Sequence, residues 1–402
     1  MKVLHDRLFF KREMGKIKYF YLLVLVAIIH LTACSQPAKQ DSKTTENSKQ
    51  QQEQVFNSYY NNFARAVAGM KPDTSGSFNL LVKKASWIKY AANADTSWKK
   101  VFINSLDKIK LWADTELVDI NKSTNTLFYP FSGPDFMYAN TFFPNAKTYI
   151  MFGLERPGSV PNLNKMSEAS LTQFFASVNQ SLEDILSLGF FKTIKMSSQL
   201  NNASVDGVLP ILLLFMARTG NSITDVNSAY IDNAGKIAVN DTLFPTKSSS
   251  RFGKGVEVSF FKNGQKDTTI RKVYYFSADL TEQGLAKNTP VKLYLQKLDT
   301  GVTTFIKSAS YLMHNNLFAT VRNTVLTKSK AVLQDDSGIA YHFFDKNAWK
   351  IALYGTYDKP IDVFSYCYQK DLNAAYVKGA RPFGFKYGYG KGRNMLLARR
   401  IK

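Results

Sequence analysis

The sequence predicts an α/β protein with a mixed, largely parallel sheet flanked by helices. Three observations carry this prediction. Short apolar runs alternate with helical patterns from about residue 126 onward, as in strand–helix–strand units. Residues 55–120 place apolar side chains at helical spacing, which predicts an N-terminal helical layer. The dipeptide Asn263-Gly264 separates two strand-like runs, so at least one antiparallel hairpin is expected.

Composition and charge limit the classes of protein that fit. The chain has 402 residues, of which 45% are hydrophobic and 21% charged, so it can bury a large core and is not a disordered polycation. Lysine and arginine number 52 against 31 acidic residues, giving a net charge of +21. Such an excess constrains association more than fold, and it leaves solubility, an anionic ligand or an anionic surface open.

Residues 1–33 predict a lipoprotein signal peptide. Basic residues dominate the first 18 positions, and the apolar run Tyr19–Ile29 follows them. That run is too short to cross a bilayer, which takes about 20 apolar residues. It ends in L-T-A-C at 31–34, which resembles the lipobox of bacterial lipoproteins and implies lipidation of Cys34. An ordinary secretory signal is the alternative, and Met14 is an alternative start.

The predicted processing sets the expected location and partners. Residues 34–54 form the lipidated cysteine and a flexible, polar tether. The expectation is a cell-envelope protein anchored to a membrane through its lipid, and Ser35 after the cysteine favours the outer membrane, with the face left open. Removing residues 1–33 removes six basic and two acidic side chains, which leaves +17. Cys367 is then the remaining cysteine, so no intramolecular disulfide is possible.

The elements of the globular part follow in chain order. In the helical layer, Gly69 and Pro72 end a first helix, and Asp95 or Thr96 is expected to cap a later one. Residues 121–402 form the α/β body. Its predicted strands are Thr126–Phe131, Thr148–Leu154, Val256–Phe261, Lys272–Phe276, Thr303–Ile306, Ala331–Leu333, Lys350–Tyr354 and Met395–Ile401. Its predicted helices are Pro134–Phe143, Leu171–Leu186, Gly207–Arg218, which is almost wholly apolar, and Leu317–Leu326.

The segment from Leu127 to Pro157 carries the strongest functional pattern. It reads as a strand, a turn S-G-P-D at 132–135, a helix, a second strand and then Glu155. This resembles the first βαβ unit of Rossmann-like folds, particularly of S-adenosylmethionine-dependent methyltransferases. The resemblance implies that Gly133 is the turn glycine and that Glu155 holds the ribose hydroxyls. In the same turn, Ser132 is a candidate ligand-binding residue and Asp135 a candidate catalytic acid. The same βαβ geometry without a ligand is the alternative.

A second candidate cluster is L-Q-D-D-S-G-I at 333–339. Asp335 and Asp336 are candidate catalytic acids, and His342 is the nearest imidazole. Neighbouring side chains on a strand point to opposite faces, so the two acids cannot simply act together. A turn with a bond to Ser337 or Gly338 is the alternative interpretation.

The last 31 residues concentrate the positive charge. They hold eight basic and no acidic residues, and the stretch from 382 to 393 interleaves aromatic, glycine and basic positions. Lys386, Lys391 and Arg393 are therefore candidate ligands for an anionic glycan or a lipid headgroup, with the aromatic rings stacking on sugars. A solvated loop is the alternative, and nucleic acid is not expected outside the cytoplasm.

Other motifs are not found. The chain has no Walker A loop, G-x-G-x-x-G, H-E-x-x-H, C-x-x-C or G-x-S-x-G, so no metal is predicted and the residues alone call for no cofactor. Ser308 and Ser310 are expected to cap a short helix rather than to act as nucleophiles. His314 and His342 are the histidines that follow the predicted signal peptide.

These observations leave two functional hypotheses. The lipobox and the motifs at 129–136, 152–155, 333–339 and 354–361 resemble uncharacterised envelope lipoproteins of Bacteroidota-type bacteria, a resemblance that brings no activity. The first hypothesis is a lipid-anchored protein that binds an anionic or glycan ligand or an unknown protein partner. The second is an envelope hydrolase or Rossmann-like transferase that uses Gly133, Asp135 and Glu155 with Asp335, Asp336 or His342. The enzyme requires these residues to converge in one pocket.

Overall fold

A computed structural model of the chain describes residues 58–73, 77–189, 205–240, 254–264, 269–389 and 393–401, without the side chains of Ser58, Asp184 and Leu188. The predictions for the signal peptide, Cys34, the tether and Lys391 lie outside the described residues. Residues Gln54–Lys402 belong to one compact unit.

The described residues form one ten-stranded mixed sheet. Its strands are β1 (Thr126–Tyr129), β2 (Thr148–Gly153), β3 (Asn221–Ile231), β4 (Ile237–Asn240), β5 (Lys254–Lys262), β6 (Arg271–Ser277), β7 (Val302–Ile306), β8 (Ser329–Gln334), β9 (Trp349–Gly355) and β10 (Asn394–Arg400). The spatial order is β4-β3-β5-β6-β2-β1-β7-β8-β10-β9. The prediction of a mixed α/β sheet with flanking helices is confirmed.

The prediction that the sheet is largely parallel is not confirmed. The five central strands, β6-β2-β1-β7-β8, pair in parallel, which gives four parallel ladders. Five antiparallel ladders extend the sheet at both edges. The predicted hairpin is present, because β5 pairs antiparallel with β6. Strand β3 was not predicted, because its polar residues alternate with apolar ones, and it pairs with β5 in an antiparallel edge.

Helices cover both faces of the sheet. They are α1 (Ser58–Val67), α2 (Ala85–Val101), α3 (Asp107–Glu116), α4 (Val118–Ser123), α5 (Phe136–Phe142), α6 (Glu168–Leu188), α7 (Leu209–Arg218), α8 (Glu282–Lys287), α9 (Thr289–Lys297), α10 (Ala319–Lys328) and α11 (Lys370–Gly379). Side chains of α1 to α7 share one apolar core with Leu127 and Tyr129, whereas α8 to α11 pack with Phe128 on the other face. This division follows from the alternation of side chains along a strand.

Two helix predictions have different outcomes. Asp95 and Thr96 do not cap a helix: α2 already begins at Ala85 and continues through a π-helical turn at Phe102–Leu106 into α3. The predicted buried helix is confirmed, because nine of the ten residues of α7 are buried. Among the described residues, no helix combines the length and the apolarity that crossing a bilayer requires.

The order of the central strands positions a crevice. From β1 the chain proceeds to β2 and then to β6 on one side, whereas β7 and β8 lie on the other side of β1. The direction of winding therefore reverses between β1 and β7. In open α/β sheets such a switch point leaves a crevice at the carboxyl ends of the strands, where ligands bind.

Candidate functional site at the strand switch point

A cavity of about 280 Å³ lies at this crevice. The connections that follow β1, β2, β6 and β7 all contribute to its wall. Four of the predicted site residues, Ser132, Gly133, Asp135 and Glu155, line it together. The convergence that an enzyme requires is therefore present for the residues predicted from the first βαβ unit.

Two glycines bring the backbone close to the cavity. Gly133 has a φ of +49°, a conformation that favours glycine. A Cβ atom on Gly153 would stand 3.2 Å from the Cα of Gly133, 3.0 Å from Oε2 of Glu155 and 2.5 Å from the hydroxyl oxygen of Tyr275. A side chain at Gly153 would therefore collide with Tyr275 and Glu155, while the positive φ of Gly133 disfavours any other residue there. Gly133 was predicted from the sequence, whereas Gly153, the last residue of β2, was not.

Ser132 fastens this turn to the neighbouring strand. Its backbone N–H donates to the carbonyl of Phe152 at 2.8 Å. Its hydroxyl lies 2.8 Å from the carbonyl oxygen of Gly133 and 3.0 Å from that of Phe152. The hydroxyl is therefore engaged with the backbone, and Ser132 positions Gly133 rather than presenting a free group to a ligand.

Glu155 provides a buried carboxylate at the end of β2. The residue is 4% exposed, and burial raises the pKa of its carboxyl group, while the N–H groups of Glu155 and Leu154 oppose that rise. Within the described residues it forms no ion pair with lysine or arginine. A carboxylate without a cation beside a cavity retains oxygen lone pairs that can accept hydrogen bonds from ligand hydroxyls.

Asp279 adds a second acid that the sequence analysis missed. It follows β6 by two residues, is half-buried and lines the same cavity. One carboxylate oxygen accepts a hydrogen bond from the backbone N–H of Thr281 at 2.9 Å. Asp279 follows a predicted strand closely, as Glu155 does, so the rule that identified Glu155 could also have identified Asp279.

Asp135 forms a buried ion pair with Lys307. The Nζ atom of Lys307 lies 3.3 Å from Oδ2 of Asp135, and both side chains are at most 5% exposed. Asp135 also accepts from the hydroxyl of Tyr129 at 3.3 Å and caps α5 by accepting from the backbone N–H of Tyr138 at 3.2 Å. Lys307 donates to the carbonyl of Gly189 and lies 4.1 Å from the ring centre of Tyr138.

This ion pair changes the role predicted for Asp135. A carboxylate with three described donors is not a free general base, so Asp135 holds Lys307 at the cavity wall. Lys307 itself was missed as a site residue. Its signal was a basic residue directly after an apolar strand, at the edge where the other site residues lie.

The loop after β7 has a strained backbone. Ser308, Ser310 and Tyr311 have φ values of 52°, 52° and 57°, and they are the non-glycine residues with positive φ in the described part of the chain. Such conformations cost of order 1–3 kcal/mol each and concentrate at functional sites. The expectation that Ser308 or Ser310 caps a helix is wrong, because Tyr311 precedes the short turn Leu312–His314 and no side chain caps it.

Asp335 and Asp336 support the strained loop from outside the cavity. Asp335 accepts hydrogen bonds from the N–H of Ser308 at 3.0 Å and from the hydroxyl of Ser337 at 2.5 Å. Asp336 accepts from the hydroxyl of Tyr311 and from the side-chain amide of Asn394 at 2.9 Å. Burial raises the pKa of both acids. Neither lines the cavity, so these predicted catalytic residues are positioning residues for the loop.

The backbone of residues 335–337 adopts the predicted turn. The N–H of Ser337 donates to Oδ1 of Asp335 at 3.2 Å, which is the Asx bond expected from the sequence. The two adjacent carboxylates reach different donors, because their side chains diverge.

The histidines do not belong to the cavity wall. His342 is exposed on the short turn Tyr341–Phe343, so the structure separates it from the other predicted catalytic residues. Burial lowers the pKa of His314 to about 4, so this imidazole is neutral at physiological pH. Within the described ranges, no group of three or more His, Cys, Asp and Glu side chains is arranged to hold a metal ion.

The C-terminal segment differs from its prediction. Phe383, Phe385 and Tyr387 are buried against the core, so they are not free to stack on sugars as expected. Lys386 and Arg393 are exposed. Both line a second groove on the side of the α2 and α6 helices, at some remove from Glu155.

Comparison of the chain with protein-family models, with curated proteins and with solved structures finds no match.

Proposed function

We propose that the cavity binds a ribose-bearing cofactor of the S-adenosylmethionine type and that the chain is a Rossmann-like transferase. The observation that carries this proposal is Glu155, a buried carboxylate without a cationic partner, beside the Gly133–Gly153 cradle. The cradle admits a ligand close to the backbone, and the carboxylate is an acceptor for a vicinal diol. The carboxylates of Glu155 and Asp279 line the cavity, and the one cation among its described lining residues, Lys307, is already paired with Asp135, which suits a nucleoside better than a phosphate.

The strand order supports the same class of protein. Numbered by their order within the parallel centre, the strands β6-β2-β1-β7-β8 run third, second, first, fourth and fifth, as in Rossmann-like sheets. An antiparallel strand, β10, then lies between β8 and β9. This arrangement is similar to the sheet of S-adenosylmethionine-dependent methyltransferases, and it is an argument by analogy of fold.

The residues that line the cavity have different proposed roles in binding this cofactor. Such a cofactor supplies an electrophilic methyl group for transfer. Ser132 holds the glycine turn against β2, and the carboxylate of Glu155 accepts the ribose hydroxyls. Asp279 presents a second acceptor from the neighbouring strand end. Lys307, fixed by Asp135, places a positive charge where the cavity meets the second groove.

Calorimetric titration with S-adenosylhomocysteine tests this function. The unmodified protein is expected to bind saturably, and Glu155→Gln is expected to weaken binding by about 10- to 100-fold, because hydrogen bonds to a charged group contribute about 1.5–3 kcal/mol. Asp299→Asn, which removes an exposed carboxylate elsewhere, is the control and is expected to bind normally. Absence of saturable binding, or equal binding by Glu155→Gln, contradicts the proposal.

Placement in the cell envelope through lipidated Cys34 remains a proposal supported by the sequence alone. Incorporation of a labelled palmitate analogue, lost in Cys34→Ser, is the expected result. Equal labelling of the variant would contradict it.

Simple binding of an anionic or glycan envelope ligand is the second candidate function, favoured by the exposure of Lys386 and Arg393 on the second groove.

A further inference from the structure

A second, larger groove adjoins the cavity. Its volume is about 700 Å³, and it lies between helix α2 with the following turn, the end of α6 and residues 384–388. Lys307 lines both the groove and the cavity, as the one described side chain common to the two. A molecule that lies in the groove can therefore contact Lys307, and the proposed cofactor lies on the other side of this residue.

The groove carries a strong excess of positive charge. Lys100, Lys108, Lys386 and Arg393 line it with exposed side chains, and Glu183 is the acid among its lining residues. Within the described ranges none of these four cations forms an ion pair. The groove therefore holds positive charge that a ligand can neutralise.

Neutral hydrogen-bonding groups lie between the charges. Asparagine and serine side chains alternate along the helical wall of the groove: Asn93, Ser97, Asn104, Ser105, Asn179 and Ser187. Amides and hydroxyls both donate and accept, so they suit a ligand rich in hydroxyl groups rather than an apolar one. A wall that combines such groups with cations matches a sugar that carries acidic substituents.

We propose that this groove binds the acceptor of the transfer and that the acceptor is an anionic saccharide bearing carboxylate or phosphate groups. The term acceptor rests on the proposed function, whereas binding of the saccharide does not. The anionic groups lie among Lys100, Lys108, Lys386 and Arg393, and the reacting end lies toward Lys307. With S-adenosylmethionine bound in the cavity, the acceptor oxygen or nitrogen would form a bond to the methyl carbon at this boundary while the methyl–sulfur bond breaks. S-adenosylhomocysteine would then leave as the neutral thioether, and the proton of the acceptor would pass to solvent.

The test uses the protein with three sugar probes: tetragalacturonate for carboxylate, fructose 1,6-bisphosphate for phosphate, and neutral maltotetraose. We expect saturable binding of at least one charged probe, weakened about tenfold by Lys100→Gln/Lys108→Gln and by raising the salt concentration from about 50 to about 500 mM. The charged probe that binds more tightly identifies the acidic group. Lys287→Gln/Lys346→Gln, which removes two exposed lysines outside the groove, is the matched control and is expected to bind like the unmodified protein.

Three results overturn the proposal: no binding of either charged probe, equal binding of maltotetraose, or unchanged binding by Lys100→Gln/Lys108→Gln. The two sites separate in the same experiment. Glu155→Gln is expected to lose S-adenosylhomocysteine and keep the charged sugar, while the groove variant shows the reverse. Sugar binding without S-adenosylhomocysteine binding would refute the transferase function and leave the groove as a saccharide site.

Discussion

Asp335 shows how a residue outside the cavity shapes its wall. Its carboxylate bonds the backbone of Ser308, and Gly388 makes that approach possible: a Cβ atom there would stand 2.0 Å from Oδ2 of Asp335. Tyr389 adds a second support, because its hydroxyl bonds both the N–H of Ser310 and the carbonyl of Ser308. The strain of the loop is thus balanced by contacts from two neighbouring segments.

The pH dependence of stability tests the burial of Asp335. Burial, followed by the charge of Asp336, raises its pKa to about 7. An acid whose pKa is higher in the folded state binds its proton more tightly there, so its contribution to stability is greatest below the unfolded pKa of about 3.9 and declines as pH rises toward 7. Asp335→Asn removes this decline.

The corresponding measurement is urea unfolding at pH 4.5, 6.0 and 7.5. At each pH the free energy of unfolding of Asp335→Asn is compared with that of the unmodified protein. We expect this difference to shift in favour of the variant by at least about 1 kcal/mol from pH 4.5 to pH 7.5, because one pKa unit corresponds to about 1.4 kcal/mol. Asp299→Asn, which removes an exposed carboxylate, is measured as the control. A difference between Asp335→Asn and the unmodified protein that stays constant from pH 4.5 to 7.5 would contradict the raised pKa of Asp335.

At the scale of elements, the ion pair between Asp135 and Lys307 joins the start of α5 to the end of β7. A buried pair is costly to break, because the remaining charge stays desolvated. We expect Lys307→Met to destabilise the protein by about 3 kcal/mol, and the double variant with Asp135→Asn to lose about 1–3 kcal/mol less than the sum of the single changes. Chemical denaturation of the four proteins measures this coupling.

The chain offers a matched control for this cycle. Lys359 and Asp362 have the same separation of 3.3 Å, but their side chains are 74% and 76% exposed. Their coupling is expected to stay below about 0.5 kcal/mol, since solvent screens exposed pairs. Equal coupling energies in the two cycles would mean that burial does not strengthen the inner pair.

The elements that form the site could be predicted unevenly from the sequence. Strands β1 and β2 and helix α5 followed from apolar periodicity, and with them came Gly133 and Glu155. Periodicity cannot reveal the positive φ values of Ser308 and Tyr311, because only the contacts of Asp335 and Tyr389 hold that loop. Lys307 and Asp279 required knowing which strand ends adjoin, which is information about topology.

In the whole molecule, the antiparallel strands at the two edges of the sheet are the reason that the prediction of a largely parallel sheet was not confirmed. The segment from 221 to 262 inserts β3, β4 and β5 between β2 and β6 in the sequence, and its polar residues concealed β3. Part of the excess of basic residues is located at the second groove. The exposed cations of the second groove gather residues from the N-terminal helices and from the C-terminal segment, which sequence distance had kept apart.

We propose that Glu155 recognises a vicinal diol in the cavity at the switch point, and a calorimetric comparison of adenosine with 2′,3′-dideoxyadenosine tests this claim. The unmodified protein is expected to bind adenosine at least tenfold more tightly, because the deoxygenated ligand leaves the buried carboxylate without donors. Glu155→Gln is expected to reduce that preference to less than about threefold. Equal affinity of the unmodified protein for the two nucleosides, or a preference that Glu155→Gln retains in full, would contradict the claim.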